Sequence, residues 1–408
     1  MSRIDELIER LCPDGVEYKA LREFGSVDRG GSFQKKDFVE EGMPCIHYGQ
    51  IYTKFGLHAS ETPTFVNKSV FAKSKKAHPG DVVMAVTSEN IEDVCKCVTW
   101  LGDGDVAVSG HTAIIHHDQN PKYMTYFFRS SAFEHAKAKL AHGTKVIEVT
   151  PAKLLDVRIP IPPMEVQEEI VRVLDSFAEL EAELEAELEA RKAQHAYYRD
   201  AIFESRGNVP VFRLGDLFPF IRNGFVGTAT PYFTDDSGVR YLKGTNIHNG
   251  VIGNNDYTYI TRDFHEAHLR SELHVGDILV VQSGHVGECA VVTSEYEGAN
   301  CHALIVMSNG GECLSQYVCH YLRSTRGKKK LASIATGGTV KHILASKIKS
   351  VEIPLPPIDE QHRIVDVLDK FDALVNDITQ GLPAEIDARR KQYAYYRDRL
   401  LTFKEKTA

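Results

Sequence analysis

No run of 18 or more apolar residues occurs in this chain of 408 residues, so a membrane-spanning helix is not expected. The opening residues, Met1 to Arg10, are charged and amphipathic and lack a signal-peptide core, which reads as a cytoplasmic protein. None of the eight cysteines stands in Cys-x-x-Cys spacing, which argues against a zinc ribbon. Cys95 and Cys97 alternate in a strand-like run and read as buried free thiols of a reducing compartment. The 18 histidines contain no His-Glu-x-x-His spacing, and no metal site is expected. The chain also lacks an Asn-Pro-Pro-Tyr or Asp-Pro-Pro-Tyr motif, a Gly-rich cofactor loop and a Walker motif. Gly337-Gly338-Thr339 could pass for a phosphate loop, but the Gly-Lys-Ser/Thr ending is missing. These absences leave no catalytic residue to nominate, and no cofactor is expected on this chain.

Basic side chains are fewer than acidic ones, 48 against 56, for a net charge of −8. Its location matters more than its size. Residues 163–204 hold 12 acidic and 4 basic side chains, and 4 − 12 = −8 accounts for the whole excess. The flanking regions are neutral and can carry local basic faces. The acidic segment should point away from any phosphate backbone.

What the chain does have is a long internal duplication. Val157-Arg158-Ile159-Pro160-Ile161-Pro162-Pro163 returns as Val351-Glu352-Ile353-Pro354-Leu355-Pro356-Pro357, and 351 − 157 = 194. Each copy runs into a helical pattern. The first has Ile170, Val173, Phe177, Leu180 and Leu184; the second has Ile364, Val367, Phe371, Leu374 and Ile378. This three-and-four spacing predicts a coiled-coil seam, with the two helices packed antiparallel. Each copy closes on a tetrad, Tyr197-Tyr198-Arg199-Asp200 and Tyr395-Tyr396-Arg397-Asp398, with 395 − 197 = 198. The four extra residues fall near Gly381-Leu382-Pro383, which should break the second helix. The expected class is α+β: strand-rich globular domains over 1–160 and 208–354, and long helices over 163–205 and 357–404, close to two-fold symmetric from the duplication. Weaker likenesses join the globular regions, notably His78-Pro79-Gly80-Asp81 with His274-Val275-Gly276-Asp277. Duplex DNA is also two-fold in shape, and two matched halves can read two half-sites.

The stretch from Ala178 to Glu189 repeats Ala-Glu-Leu-Glu three times. It reads either as a solvated helix-forming stretch or as a ruler, in which each unit adds about 6 Å between the globular ends.

The Ile-Pro-(Ile/Leu)-Pro-Pro helix entries, Gln167 and Gln361 just inside them, the two tetrads and the paired His-x-Gly-Asp turns resemble the specificity subunit of a type I restriction–modification system. The resemblance covers nearly the whole chain. It implies two target-recognition domains, each reading one half of a bipartite DNA site. It also implies two helices that space them and dock methyltransferase subunits, two of them, with restriction subunits joining that core. S-adenosylmethionine, ATP and Mg would then belong to the partner subunits.

The resemblance points to loops after the strands as the DNA contacts, where Arg favours guanine and Asn or Gln favours adenine. In the first domain the candidates are Arg29, Gly30, Gly31, Gln34, Lys35, Gln50, Ser88, Asn90, Thr144 and Lys145. In the second they are Arg222, Asn223, Lys243, Asn246, Gln282, Ser283, His285, Thr339 and Lys341. The same residues are also ordinary polar-turn material. Helix packing or partner contact is expected of Gln167, Phe177, Leu180, Leu184, Tyr197, Tyr198, Arg199, Gln361, Phe371, Leu374, Tyr395, Tyr396 and Arg397. The tetrads read as packing and salt-bridge corners rather than catalytic groups. A stand-alone two-headed DNA-binding protein and a scaffold that never touches DNA are the alternatives to a targeting subunit.

Overall fold

A computed structural model describes residues 3–204, 209–253, 257–338, 341–376 and 381–406. The chain divides into two compact units, residues 1–183 with 387–408, and residues 184–386. Each unit therefore combines one globular region with part of the helix Met164–Glu204 and part of the final helical stretch. Among the described residues that stretch is two helices, Ile358–Asn376 and Leu382–Leu400, interrupted next to Gly381-Leu382-Pro383. No described helix is long and apolar enough to cross a membrane.

In the first unit the strand Val82–Ala85 is apolar throughout and wholly buried. Strand periodicity sends Val82 and Met84 into a core shared with helices, while Val83 and Ala85 enter a second core. Burial on both faces explains the unbroken apolar run. The sheet order is Gly25–Arg29, Thr112–His117, Val82–Ala85, Cys97–Trp100, His58–Ala59. A second sheet runs Phe38–Val39, Phe65–Val66, Met43–Ile46, Val106–Val108, Lys76–Ala77 and mixes parallel with antiparallel pairs.

Among the described residues the second unit repeats both orders without the last strand of each. Phe220–Asn223, Leu304–Ser308, Ile278–Val281 and Cys289–Val291 form one sheet; Phe233–Thr234, Thr258–Ile260, Val239–Leu242 and Asn300–Cys301 form the other. Ile278 and Val280 again face the helix-covered core, with Leu279 and Val281 opposite. The likeness between His78-Pro79-Gly80-Asp81 and its counterpart is a real turn. Gly80 and Gly276 take φ of +95° and +88°. The carboxylates of Asp81 and Asp277 accept the N–H of His78 and His274 at 2.6 and 3.1 Å.

Two expectations need correction. Cys95 is not in the strand with Cys97; it sits before Cys97–Trp100 with φ of +67°, though both thiols enter one core. All eight cysteines are buried and free, and burial pushes the Cys95 thiol up to about 12. The helix seam also differs. Ile170, Leu174, Ile364 and Leu368 are buried against their own globular regions, whereas Val367 and Leu374 are exposed. Docking the adjacent sheet-and-helix core takes the most apolar face of each helix first.

A narrower seam survives in each unit. Phe177 stacks on Tyr396 at 5.4 Å, and Glu181 accepts from Arg390 Nε at 2.7 Å. In the second unit Tyr198 and His195 stack on Phe371 at 6.0 and 5.8 Å. His195 Nδ1 also meets Asp372 at 3.3 Å, so in each unit ascending numbers on one helix meet descending numbers on the other, and the pairing is antiparallel. Leu184 is buried and Leu180 half-buried. Ile378 lies outside the described residues.

Candidate nucleic-acid interface

The helix entries are fastened identically in both units. Gln167 Nε2 donates to Pro162 O at 2.9 Å, and its Oε1 accepts Asn120 N at 3.0 Å. Gln361 donates to Pro356 O at 2.8 Å and accepts Leu314 N at 2.9 Å. Tyr123 and Tyr317 hydroxyls donate to the carbonyls of Pro160 and Pro354 at 2.8 and 2.7 Å. The tetrad aspartates clamp helix starts. Asp398 accepts Ser131 N and Oγ at 3.0 and 2.5 Å, and Asp200 accepts Thr325 N and Oγ1 at 2.8 and 2.6 Å. Burial opposes charge on Asp398, but the Ser131 donors outweigh it and hold the carboxyl below its usual range. Tyr197 and Tyr395, at matching positions, stay exposed.

On this rigid base each unit raises the same loops. The first leaves the outer strand at Gly30 or Gly224, where a Cβ would collide with the Ser109 carbonyl or the Cys301 backbone. Arg29 and Asn223 stand there exposed, and Arg29 lies 3.9 Å from Glu148. Gln34 and Lys35 come next, both exposed. With Gly31, His47, Tyr48 and His111 the Gln34 segment rims a cavity of about 440 Å³. Another loop is a tight excursion pinned at its base. His142 pairs with Glu148 in the first unit and Thr336 with His342 in the second. Gly143 and Gly337 both take φ of +107°. Thr144, Lys145 and Lys341 are exposed on these excursions; Thr339 lies outside the described residues. The strand pair holding Ser88 to Ile147 ties the first excursion to the Thr87–Ser88 turn. The matching turn in the second unit presents Ser283, whose Oγ meets His342 Nδ1 at 3.2 Å, and exposed His285.

Several polar candidates are engaged within the fold instead. Arg222 donates to Arg270 O, Ser308 Oγ and Glu272 O at 2.9, 2.6 and 2.8 Å, which occupies its guanidinium. Gln50 accepts His47 N at 3.0 Å and donates to Thr64 Oγ1 at 3.0 Å. Asn90 bonds Asp93 twice, and buried Asn246 caps Lys243 N at 2.8 Å. Gln282 is buried, and Lys243 lies over the Phe233 ring at 4.9 Å. His111 and His248 stood outside the sequence candidates. His111 adopts φ of +64° beside Tyr48, with ring centroids 5.2 Å apart, and His248 lies 6.0 Å from His285. No residue pattern signals such tertiary meetings. The surfaces that remain offer hydroxyls, amides, imidazoles and amines on exposed turns. That is the chemistry for base edges and phosphates.

Among the described residues, one group has metal-ligand spacing, His320, Asp369 and Asp372. It is already engaged, with His320 Nε2 on Asp369 at 2.7 Å and Arg323 on Asp372 at 2.6 Å.

A family model described as the type I restriction modification DNA specificity domain matches twice, over residues 13–190 and 207–388. A protein named as a type I restriction enzyme specificity subunit of Haemophilus influenzae is 33% identical over 282 residues, 64% of this chain and 68% of the relative. One from Escherichia coli is 32% identical over 294 residues, 69% of this chain and 70% of the relative. Among solved structures, a chain of a type I restriction–modification system matches with a TM-score of 0.67 and 16% identity, covering 95% of this chain and 97% of that one.

Proposed function

Since the chain belongs to the type I restriction–modification DNA specificity family, we propose that it reads a bipartite, asymmetric duplex target, one half-site per unit. The observation that carries this is the repeated strand order holding equivalent loops whose side chains differ. Equal frameworks with unequal loops are what two readers of different sequences need. Arg29, Gln34, Lys35, Ser88, Thr144 and Lys145 are the donors we assign to the first half-site. Asn223, Ser283, His285 and Lys341 serve the second, joined by His248.

The chain supplies targeting and no chemistry. Methyltransferase subunits, two of them, dock on the helices, and restriction subunits join that assembly; S-adenosylmethionine, ATP and Mg belong to these partners. Support comes from exposed apolar groups at matching helix positions, Met164 with Ile358 and Tyr197 with Tyr395. Exposed aromatic and apolar side chains of this kind favour protein contact.

The test is to express the full chain with a methyltransferase subunit and map modified adenines by long-read sequencing. Two different short half-sites with a fixed gap are expected. DNA binding by the purified chain without any new methylation would instead support a stand-alone two-headed binder.

A further inference from the structure

The second unit contains a cavity of about 240 Å³ walled by Lys192, His195, Arg199, Asn249, Arg323 and Lys328. Most of its cations are answered nearby. Lys192 pairs with Glu189 at 2.8 Å, Arg323 with Asp372 at 2.6 Å, and Lys328 with Glu288 at 3.5 Å. Arg199 is the exception among the described residues. It has no ion-pair partner, and its Nε is buried without an acceptor. His195, only 4% exposed, also leaves Nε2 unpartnered there.

The internal duplication shows what is missing. Arg199, His195 and Lys192 correspond to Arg397, Tyr393 and Arg390, each 198 residues later. In the first unit Arg397 closes on Asp398 at 3.0 Å and lies over Tyr393 at 5.8 Å, while Arg390 closes on Glu181 at 2.7 Å. Residues 194 positions after Glu181 and Glu134 are Val375 and Lys328. Two carboxylates of the first unit are thus an apolar and a cationic side chain in the second. The second unit keeps the tetrad carboxylate as Asp200 and has Asp372 where the first has Ala178. Asp372 answers Arg323, however, and Glu288 answers Lys328, and among the described residues no carboxylate pairs with Arg199.

We propose that this cavity is an anion site that takes a backbone phosphate of the duplex, with Arg199 as central donor and Lys192 and Lys328 beside it. The proposal rests on the DNA-reading role given above. Phosphate suits a planar guanidinium flanked by flexible ammonium groups. Position favours DNA over a protein carboxylate. Asn249 reaches the cavity from the turn that carries His248, and Glu288 from the end of the turn that carries His285. A duplex seated on those turns brings its phosphate rail to the same place. Burial, with Arg323 adding to it, holds the Arg199 guanidinium below its ordinary range, and a bound anion relieves that.

The test uses the full chain assembled with its methyltransferase partner and fluorescent duplexes, one with the methylated motif and one scrambled. Binding is measured between about 50 and 200 mM salt. Arg199→Gln should weaken both duplexes by a common factor of about 5–20 and reduce the salt slope by about 1, leaving the methylated motif unchanged. Lys192→Ala and Lys328→Ala, at exposed positions, should act in the same direction and decide the matter should Arg199→Gln disturb folding. Arg390→Ala, the counterpart in the first unit, should leave the slope unaltered. A normal slope with weakened assembly would assign the site to a methyltransferase carboxylate and overturn the proposal. Normal slope and normal assembly would also overturn it. A wild-type complex that writes no bipartite motif would refute the functional reading itself, a different result from either.

Discussion

Gln167 and Gln361 do the same work at two places, each bonding a proline carbonyl behind it and a loop N–H beside it. Replacing Gln361 by Ala strands the Leu314 N–H and the Pro356 carbonyl in a buried site. Urea unfolding should register a loss of about 1–3 kcal/mol. His195 is more telling because its counterpart is Tyr393. Burial pushes its imidazole down to about 4, although Asp372 acts the other way. Between that value and about 6.5 the unfolded chain binds the proton and the folded chain does not. Stability gained as pH rises through this window is lost on acidification. His195→Tyr should flatten that part of the pH dependence of thermal unfolding; an unchanged profile would contradict a buried neutral imidazole. The duplicated glutamines and tetrads were legible as a repeat, but which group each would hold was not. Gln50, Asn90, Asn246 and Arg222 read as donors for DNA because an amide or guanidinium in a turn looks alike whether it reaches outward or caps a neighbour. Only the partners 3 to 86 positions away distinguish the two.

The helix Met164–Glu204 is unbroken through the Ala-Glu-Leu-Glu repeats, most of whose side chains are exposed. Such a stretch can change length with little loss of core, since Leu184 is the one buried residue between Ala182 and Glu185 and Leu188 repeats it four residues later. Deleting Ala182 to Glu185 shortens it by about 6 Å and rotates the remainder of the helix by roughly 40°. Methylome mapping should then show a changed gap and unchanged half-sites. Altered half-sites would mean that the repeat shapes the reading loops instead. Elements were legible where one force dominated: the apolar runs at Val82–Ala85 and Ile278–Val281, and the Gly381–Pro383 interruption. The seam was legible in part. Heptad spacing does not say whether a helix offers its best face to another helix or to its own domain, and here Ile170 and Leu174 went to the domain.

Each unit is a globular region with pieces of two helices, so recognition should be exchangeable in parts. Grafting the region 208–354 from a relative of different specificity should replace one half-site and leave the other intact, as read by methylome mapping. Changes in both would deny the independence of the units. The division of the chain has another consequence. Residues 404–406 flank Val16, with Lys404 O accepting from Val16 N and Lys406 N donating back at 2.8 and 2.9 Å, and Asp398 clamps Ser131. The second unit is contiguous, 386 − 183 = 203 residues long, and lies wholly between the two parts of the first. On the ribosome, then, the half begun first is finished last. It must wait about 10–40 s for its closing residues, its unfinished edge open to whatever chaperone or partner meets it meanwhile.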